Sequence, residues 1–240
     1  APQLQWHRLE EGVRTIGFAG DGFAFDNESP RHTRLVHGFE IASRPVTSGE
    51  WLEFMHDGGY DRASLWLSAG WDVLQREQWR APEYWERRDD AWWEMTLGGM
   101  RPVDRAAPVA HVSFFEADAF AAWADARLPD EFEWEVTGTE YDVGGSNFVE
   151  SGRLHPVASA SGQFFGDVWE WTRSDYAPYP GFRAAPGALG EYNGKFMCGQ
   201  YVLRGGSCAT SASHVRPTYR NFFPPHARWQ FSGVRLARAR

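Results

Sequence analysis

Gly166-Asp167-Val168-Trp169-Glu170-Trp171-Thr172 is the stretch on which the fold turns. Its Val, Trp and Thr residues suit a pleated strand packed against a core. Asp167 and Glu170 sit among the aromatic residues, so the run reads as a strand with inward acidic groups. Two shorter runs follow, Tyr201-Val202-Leu203 and Gly233-Val234-Arg235-Leu236, in a half where Gly, Ser, Asn and Pro recur every few residues. From residue 137 onward this punctuation predicts short strands joined by long loops, with no helical periodicity.

The helices lie upstream. Thr47-Ser48-Gly49-Glu50 and Ser113-Phe114-Phe115-Glu116 are capping boxes, each opening a helix. Trp51, Phe54 and Met55 share one face of the first helix, which Gly58-Gly59 stops. Phe114, Ala117, Phe120, Ala121 and Trp123 share one face of the second, which Leu128-Pro129 breaks. Asp130 caps a third helix through Trp134. Residues 1–45 read as loops and short strands, and 61–100, with Trp66, Trp71, Trp79, Trp85, Trp92 and Trp93 among charges, as a long aromatic loop. The chain is therefore α+β and loop-rich. It shows neither βαβ alternation nor a glycine-rich phosphate loop, which argues against a Rossmann or P-loop enzyme.

A length of 240 residues supports a proper core without disulfide staples. Hydrophobic residues at 42% and charged residues at 23% exclude a disordered or collagen-like chain. The net charge of −8 argues against a broad nucleic-acid or anionic-membrane surface. Lys195 is the only lysine, so the positive charge is carried by arginine, a residue suited to carboxylates. No run approaches a membrane span and no signal peptide opens the chain, so a cytoplasmic protein is expected. Ala1 in place of Met suggests a processed chain or a piece of a longer one.

The chemistry-bearing residues exclude several classes. His7, His32, His37, His56, His111, His155, His214 and His226 form no H-x-x-x-H pair, and Cys198 and Cys208 no C-x-x-C. Gly205-Gly206-Ser207-Cys208 is not a nucleophile elbow, and Cys208 reads as a small buried hydrophobe. The aromatic load of 13 Trp, 17 Phe and 8 Tyr implies a heavily pinned core or an aromatic pocket. Aromatic faces attract quaternary ammonium groups, arginine forks suit carboxylates and an asparagine amide satisfies a polar edge. The blocks 175–183, 190–196 and 216–225 mix all three, which suits a zwitterionic betaine; the same residues could equally be core and loop braces.

Gly166–Trp171, Leu203-Arg204-Gly205-Gly206-Ser207 and Gly233–Leu236 resemble the formylglycine-generating-enzyme (sulfatase-modifying factor) family, as do Pro45-Val46-Thr47 and Leu128–Glu135. That resemblance implies a modified C-type lectin-like fold over 1–240. Asp21–Glu28, Gly190–Phe196 and Tyr219–His226 are closer to the EgtB-type branch, the iron(II)-dependent sulfoxide synthases of ergothioneine biosynthesis. The paired copper-binding cysteines of formylglycine generators are missing; Thr210 and the neighbourhood of His214 stand in that region.

The resemblance implies a non-haem iron(II), O2-dependent oxidoreductase. It would join the thiol of cysteine, or of a related thiol, to hercynine, the trimethylammonium betaine of histidine. The iron ligands are expected on an N-terminal DinB-like bundle outside this chain, which would be active only with that domain. By position, Tyr192, Asn221 and Phe222 would line the hercynine pocket. Leu189 falls where one branch has a catalytic tyrosine, and Phe223 where it has an acidic residue, which points to free cysteine as donor. Arg183 or Arg216 would bind a substrate carboxylate or brace a loop. A structural Ca2+ near Trp169–Trp171 is a further expectation. The alternatives are a non-catalytic lectin-like binding module and a selenium-donor homologue.

Overall fold

A computed structural model describes residues 1–158 and 162–240, the side chains of Ala188 and Leu189 excepted. The early strands are β1 (Trp6–Leu9), β2 (Gly12–Ile16), β3 (His32–Val36) and β4 (Phe39–Ala42). Next come α1 (Ser48–His56), α2 (Ser68–Glu77), β5 (Trp85–Arg88), β6 (Ala91–Thr96) and β7 (Gly99–Pro102). Then follow α3 (Phe114–Trp123), α4 (Glu131–Gly138), β8 (Trp169–Asp175), α5 (Ala188–Asn193) and β9 (Tyr201–Arg204). The chain closes with β10 (Asn221–Phe223), β11 (Ser232–Gly233) and β12 (Ala237–Ala239).

The Trp169–Thr172 run lies in β8, inside a sheet ordered β10-β9-β8-β11. Trp169, Glu170, Trp171 and Thr172 are all buried, so β8 is covered on both faces. β9 pairs antiparallel with both neighbours, whereas β11 joins β8 in parallel. A second sheet, β1-β4-β12, brings the two ends of the chain together. Helices packed against mixed, mostly antiparallel sheets with adjoining termini make the modified C-type lectin-like architecture. Among the described residues no helix is long and apolar enough to cross a membrane.

All three helix starts read from sequence are capped, and Asp130, read only as an N-cap, also forms a capping box. Thr47, Ser113 and Asp130 accept from the backbone of Glu50, Glu116 and Glu133, and each glutamate reaches back to the cap. Each of these glutamates also meets an arginine: Arg44 on Glu50, Arg228 on Glu116 and Arg127 on Glu133. Burial alone would raise the Glu50 carboxyl, but Arg44 and the Thr47 donors hold it below its ordinary value.

Two segments depart from the sequence reading. Residues 61–100 are not an aromatic loop but α2 followed by the antiparallel meander β5-β6-β7. Charged residues on its exposed strands, such as Arg87 opposite Trp92, interrupt the alternation that would mark them. Gly233–Leu236 is not one strand. Only Ser232–Gly233 pairs with β8, after which the carbonyls of Val234 and Leu236 accept from Val46 and Ala42. The chain crosses there from one sheet to the other.

The core is pinned by polar tips as well as by area. Trp51 stacks on Phe120 at 5.0 Å. Trp171 Nε1 donates to the Val112 carbonyl and Trp134 Nε1 to Glu170. Arg204, Arg220 and Arg235 are fully buried, which requires paired carboxylates. Arg235 pairs with Glu170, while Arg204 and Arg220 share Glu131.

Candidate functional site

β10 is a sheet-edge strand only three residues long, so Asn221, Phe222 and Phe223 are half-buried rather than sealed. The segment containing α5 brings Tyr192 and Phe196 beside it, and the turn at Asp26–Glu28 brings Phe25 and Asn27. Together with Tyr219 these residues line a cleft of about 470 Å³. Apart from Gln200, its walls come from residues 21–28, 190–196 and 219–226, the stretches that single out one branch of the family in the sequence.

Aromatic faces dominate the cleft. Around the Phe222 ring stand Phe196 at 5.8 Å and Tyr192 at 6.4 Å, both tilted. Beneath it lies buried Tyr176, parallel at 3.9 Å. Tyr219 continues the wall, 5.1 Å from Phe25 and edge-on to Trp169. Asn221 Oδ1 accepts from the Phe222 backbone, and its Nδ2 has no partner among the described residues. A larger cleft of about 670 Å³ lies between α1 and the meander, but its arginines Arg105 and Arg87 face Glu53 and Asp90 in exposed pairs.

The cleft carries no unbalanced charge from Arg220. Its guanidinium donates to Glu131 from Nε at 2.7 Å and Nη2 at 3.0 Å. Burial would raise the Glu131 carboxyl, but Arg220 and Arg204 outweigh it and hold the group below its ordinary value. Burial also pushes the Tyr176 hydroxyl up to about 12, so a neutral phenol persists beneath Phe222. A π-rich cavity with a free amide, whose lining arginine is paired, suits an organic cation that lacks hydrogen-bond donors.

Tyr192, Asn221, Phe222 and Phe223 thus meet in one cleft, whereas Arg183 and Arg216 do not line it. Arg216 is committed to fully buried Glu28 through Nε at 2.7 Å and a second contact from Nη2. Its guanidinium also lies 5.6 Å from both Phe25 and Tyr219, so it braces the cleft from behind. Arg183 is exposed on the preceding loop. The Leu189 side chain lies outside those described. Tyr176 and Asn27 lie in stretches the sequence marks, 175–183 and 21–28, but no spacing signal gives their roles, because both act through contacts between distant segments.

Among the described residues no three His, Cys, Asp or Glu side chains converge. His155 approaches Glu94 at 3.3 Å. Neighbouring His111 is buried and lowered to about 4, chiefly by that burial. Near Trp169–Trp171, Glu170 is taken by Arg235, and Asp167 accepts from Asn147 Nδ2 and the Val157 amide. Both Glu170 oxygens and Asp167 Oδ1 are thus engaged by protein donors. Cys208 is fully buried, and burial pushes its thiol up to about 12, as befits a core residue.

Comparison with known proteins fits this geometry. The sulfatase-modifying factor enzyme 1-like domain matches over residues 6–161 and 151–240. Hercynine oxygenase of Mycobacterium tuberculosis is 40% identical over 94% of this chain, which spans 58% of that protein. Ergothioneine biosynthesis protein 1 of Schizosaccharomyces pombe is 28% identical over 90% of this chain, which covers 28% of its length. The chain therefore spans little more than half the length of the hercynine oxygenase. PvdO from Pseudomonas aeruginosa superposes with a TM-score of 0.65 at 20% identity, covering 98% of this chain and 94% of its own, a likeness of fold.

Proposed function

The chain belongs to the sulfatase-modifying factor enzyme 1-like family, and from that premise we propose that its aromatic cleft binds hercynine in an oxygenase of ergothioneine biosynthesis. The reaction would join a thiol sulfur, that of cysteine or a related thiol, to the hercynine imidazole as a sulfoxide. The observation that carries the reading is the cleft itself. Three segments separated in sequence meet there, lined by aromatic faces and amides, with the lining arginine Arg220 paired to Glu131.

In this reading the trimethylammonium group lies against Phe222, Tyr192 and Phe196, where a cation without N–H donors loses little on leaving water. Asn221 Nδ2 donates to a polar edge of the ligand. Phe223 makes the neighbouring wall apolar, which favours a small thiol such as cysteine over a donor with an added charged group.

Iron(II), bound by three histidines of an N-terminal DinB-like bundle, would supply the oxygen activation. The residues of this chain bind and orient hercynine. Phe23 and Trp229 are exposed beside the cleft-lining Phe25 and Phe223, and Tyr192 is 66% exposed. These aromatics form an apolar rim for the bundle to cover, with exclusion of water from the cleft.

The test is calorimetric titration of the full-length protein with hercynine and with histidine. Clear preference for hercynine is expected; equal affinity, or no binding by either, overturns the proposal.

A further inference from the structure

We infer that Tyr176, buried beneath the cleft, is a positioning residue that fixes the Phe222 ring so that one face is held ready for a quaternary ammonium group. The inference rests on the hercynine reading and extends it to the device that sets selectivity.

The Tyr176–Phe222 pair differs from the other ring contacts at the cleft. The two rings are parallel within 9° at 3.9 Å, whereas Tyr192 and Phe196 meet Phe222 at tilts of 49° and 33°. A parallel partner covers one whole face of Phe222 and leaves the other to the cleft. Without it, a phenylalanine half-exposed on a three-residue edge strand would keep rotamer freedom that a bound cation would have to remove.

Tyr176 can serve as this platform because it is itself immobilised. It is 2% exposed. Its backbone N–H donates to the Gln200 carbonyl at 2.8 Å, and its hydroxyl accepts from Asn27 Nδ2 at 2.8 Å. The Arg220 guanidinium stands 5.0 Å from its ring centroid. A trimethylammonium group has no N–H to donate and depends on such a face, whereas a primary ammonium can turn to any acceptor. The platform should therefore govern the ratio of hercynine to histidine affinity, which a purely structural residue would leave alone.

The experiment measures both affinities in the full-length protein and its Tyr176→Leu, Tyr176→Met and Tyr176→Phe variants. Tyr176→Leu should lower the preference for hercynine about tenfold, with Tyr176→Phe, which keeps the stack, within about threefold of the parent. If Tyr176→Leu does not fold, Tyr176→Met, which keeps bulk without a ring, takes its place with the same expected loss. An unchanged ratio in the folded ring-less variant, or equal loss for both ligands, overturns the inference while leaving the hercynine reading intact. A parent protein that does not prefer hercynine overturns both.

Discussion

Asn27 and Arg220 hold each other across 193 residues of sequence. Asn27 Nδ2 donates to the Arg220 carbonyl at 3.3 Å, and Arg220 Nη1 donates to the Asn27 carbonyl at 2.9 Å. The residue after Arg220 is Asn221, so this exchange fixes the backbone from which the cleft amide projects. Asn27→Ala would strand the Arg220 carbonyl and remove the donor to Tyr176, both in buried surroundings. A stability loss of about 1–3 kcal/mol is expected, read as a lower urea midpoint with an unchanged slope. A midpoint equal to the parent's would contradict the assigned contacts.

Glu131 is the hub of the same region, since it answers both Arg204 and Arg220. Glu131→Gln would leave buried Arg220 without a carboxylate and Arg204 with Glu135 alone. The expected cost is about 3–5 kcal/mol at neutral pH. The carboxyl is held below its ordinary value by those arginines against its burial. Its stabilisation is therefore fully present above the unfolded value of 4.5 and is lost as pH falls through the lower folded value. Denaturant titrations from pH 7 to pH 3 should show the parent losing stability in that range more steeply than the variant; parallel curves would refute the argument.

Arg216 separates bracing from substrate recognition. Its contacts with fully buried Glu28 predict that Arg216→Ala lowers thermal stability, because an unpaired carboxylate is left inside. A loss on the order of 3 kcal/mol is expected. If the variant melted like the parent but showed a raised substrate KM alone, Arg216 would be a ligand-binding residue after all.

Helix starts were legible because caps are local patterns: Thr47 and Ser113 each meet a glutamate three residues on, and Asp130 reads as an N-cap to which the structure adds Glu133. The meander at 85–102 was not, because exposed Arg87, Arg88 and Glu86 obscure a two-residue period. Tyr192, Asn221, Phe222 and Phe223 could be named from resemblance, and they do share a cleft. Tyr176, Asn27 and Glu28 stayed hidden because their roles arise from partners roughly 45 to 190 residues away in sequence, which no local spacing encodes.

Asn221 offers a sharper test of the cleft than its aromatic neighbours, since one amide can be removed with little loss of apolar wall. Asn221→Ala in the full-length protein should weaken hercynine binding by about 1–3 kcal/mol. Its Oδ1 also caps the Phe222 amide, so a small stability loss should accompany the change. Steady-state kinetics decide the matter: hercynine KM and kcat both equal to the parent's would remove Asn221 from the binding site.

The two cysteines should differ sharply in reactivity. The thiolate is the nucleophile, so a thiol pushed up to about 12 by burial, as at Cys208, is almost entirely protonated at pH 8. Cys208 is also fully buried, so a reagent reaches it only when the protein opens. Cys198 is exposed. An aromatic disulfide reagent at pH 8 should therefore titrate one thiol quickly in the folded protein and a second only on adding denaturant. Replacing Cys198 by Ser should abolish the fast phase. Rapid modification of both thiols without denaturant would show that the strand-to-loop turn at 204–208 opens readily, and that the buried Arg204–Glu131 contacts do not hold it closed.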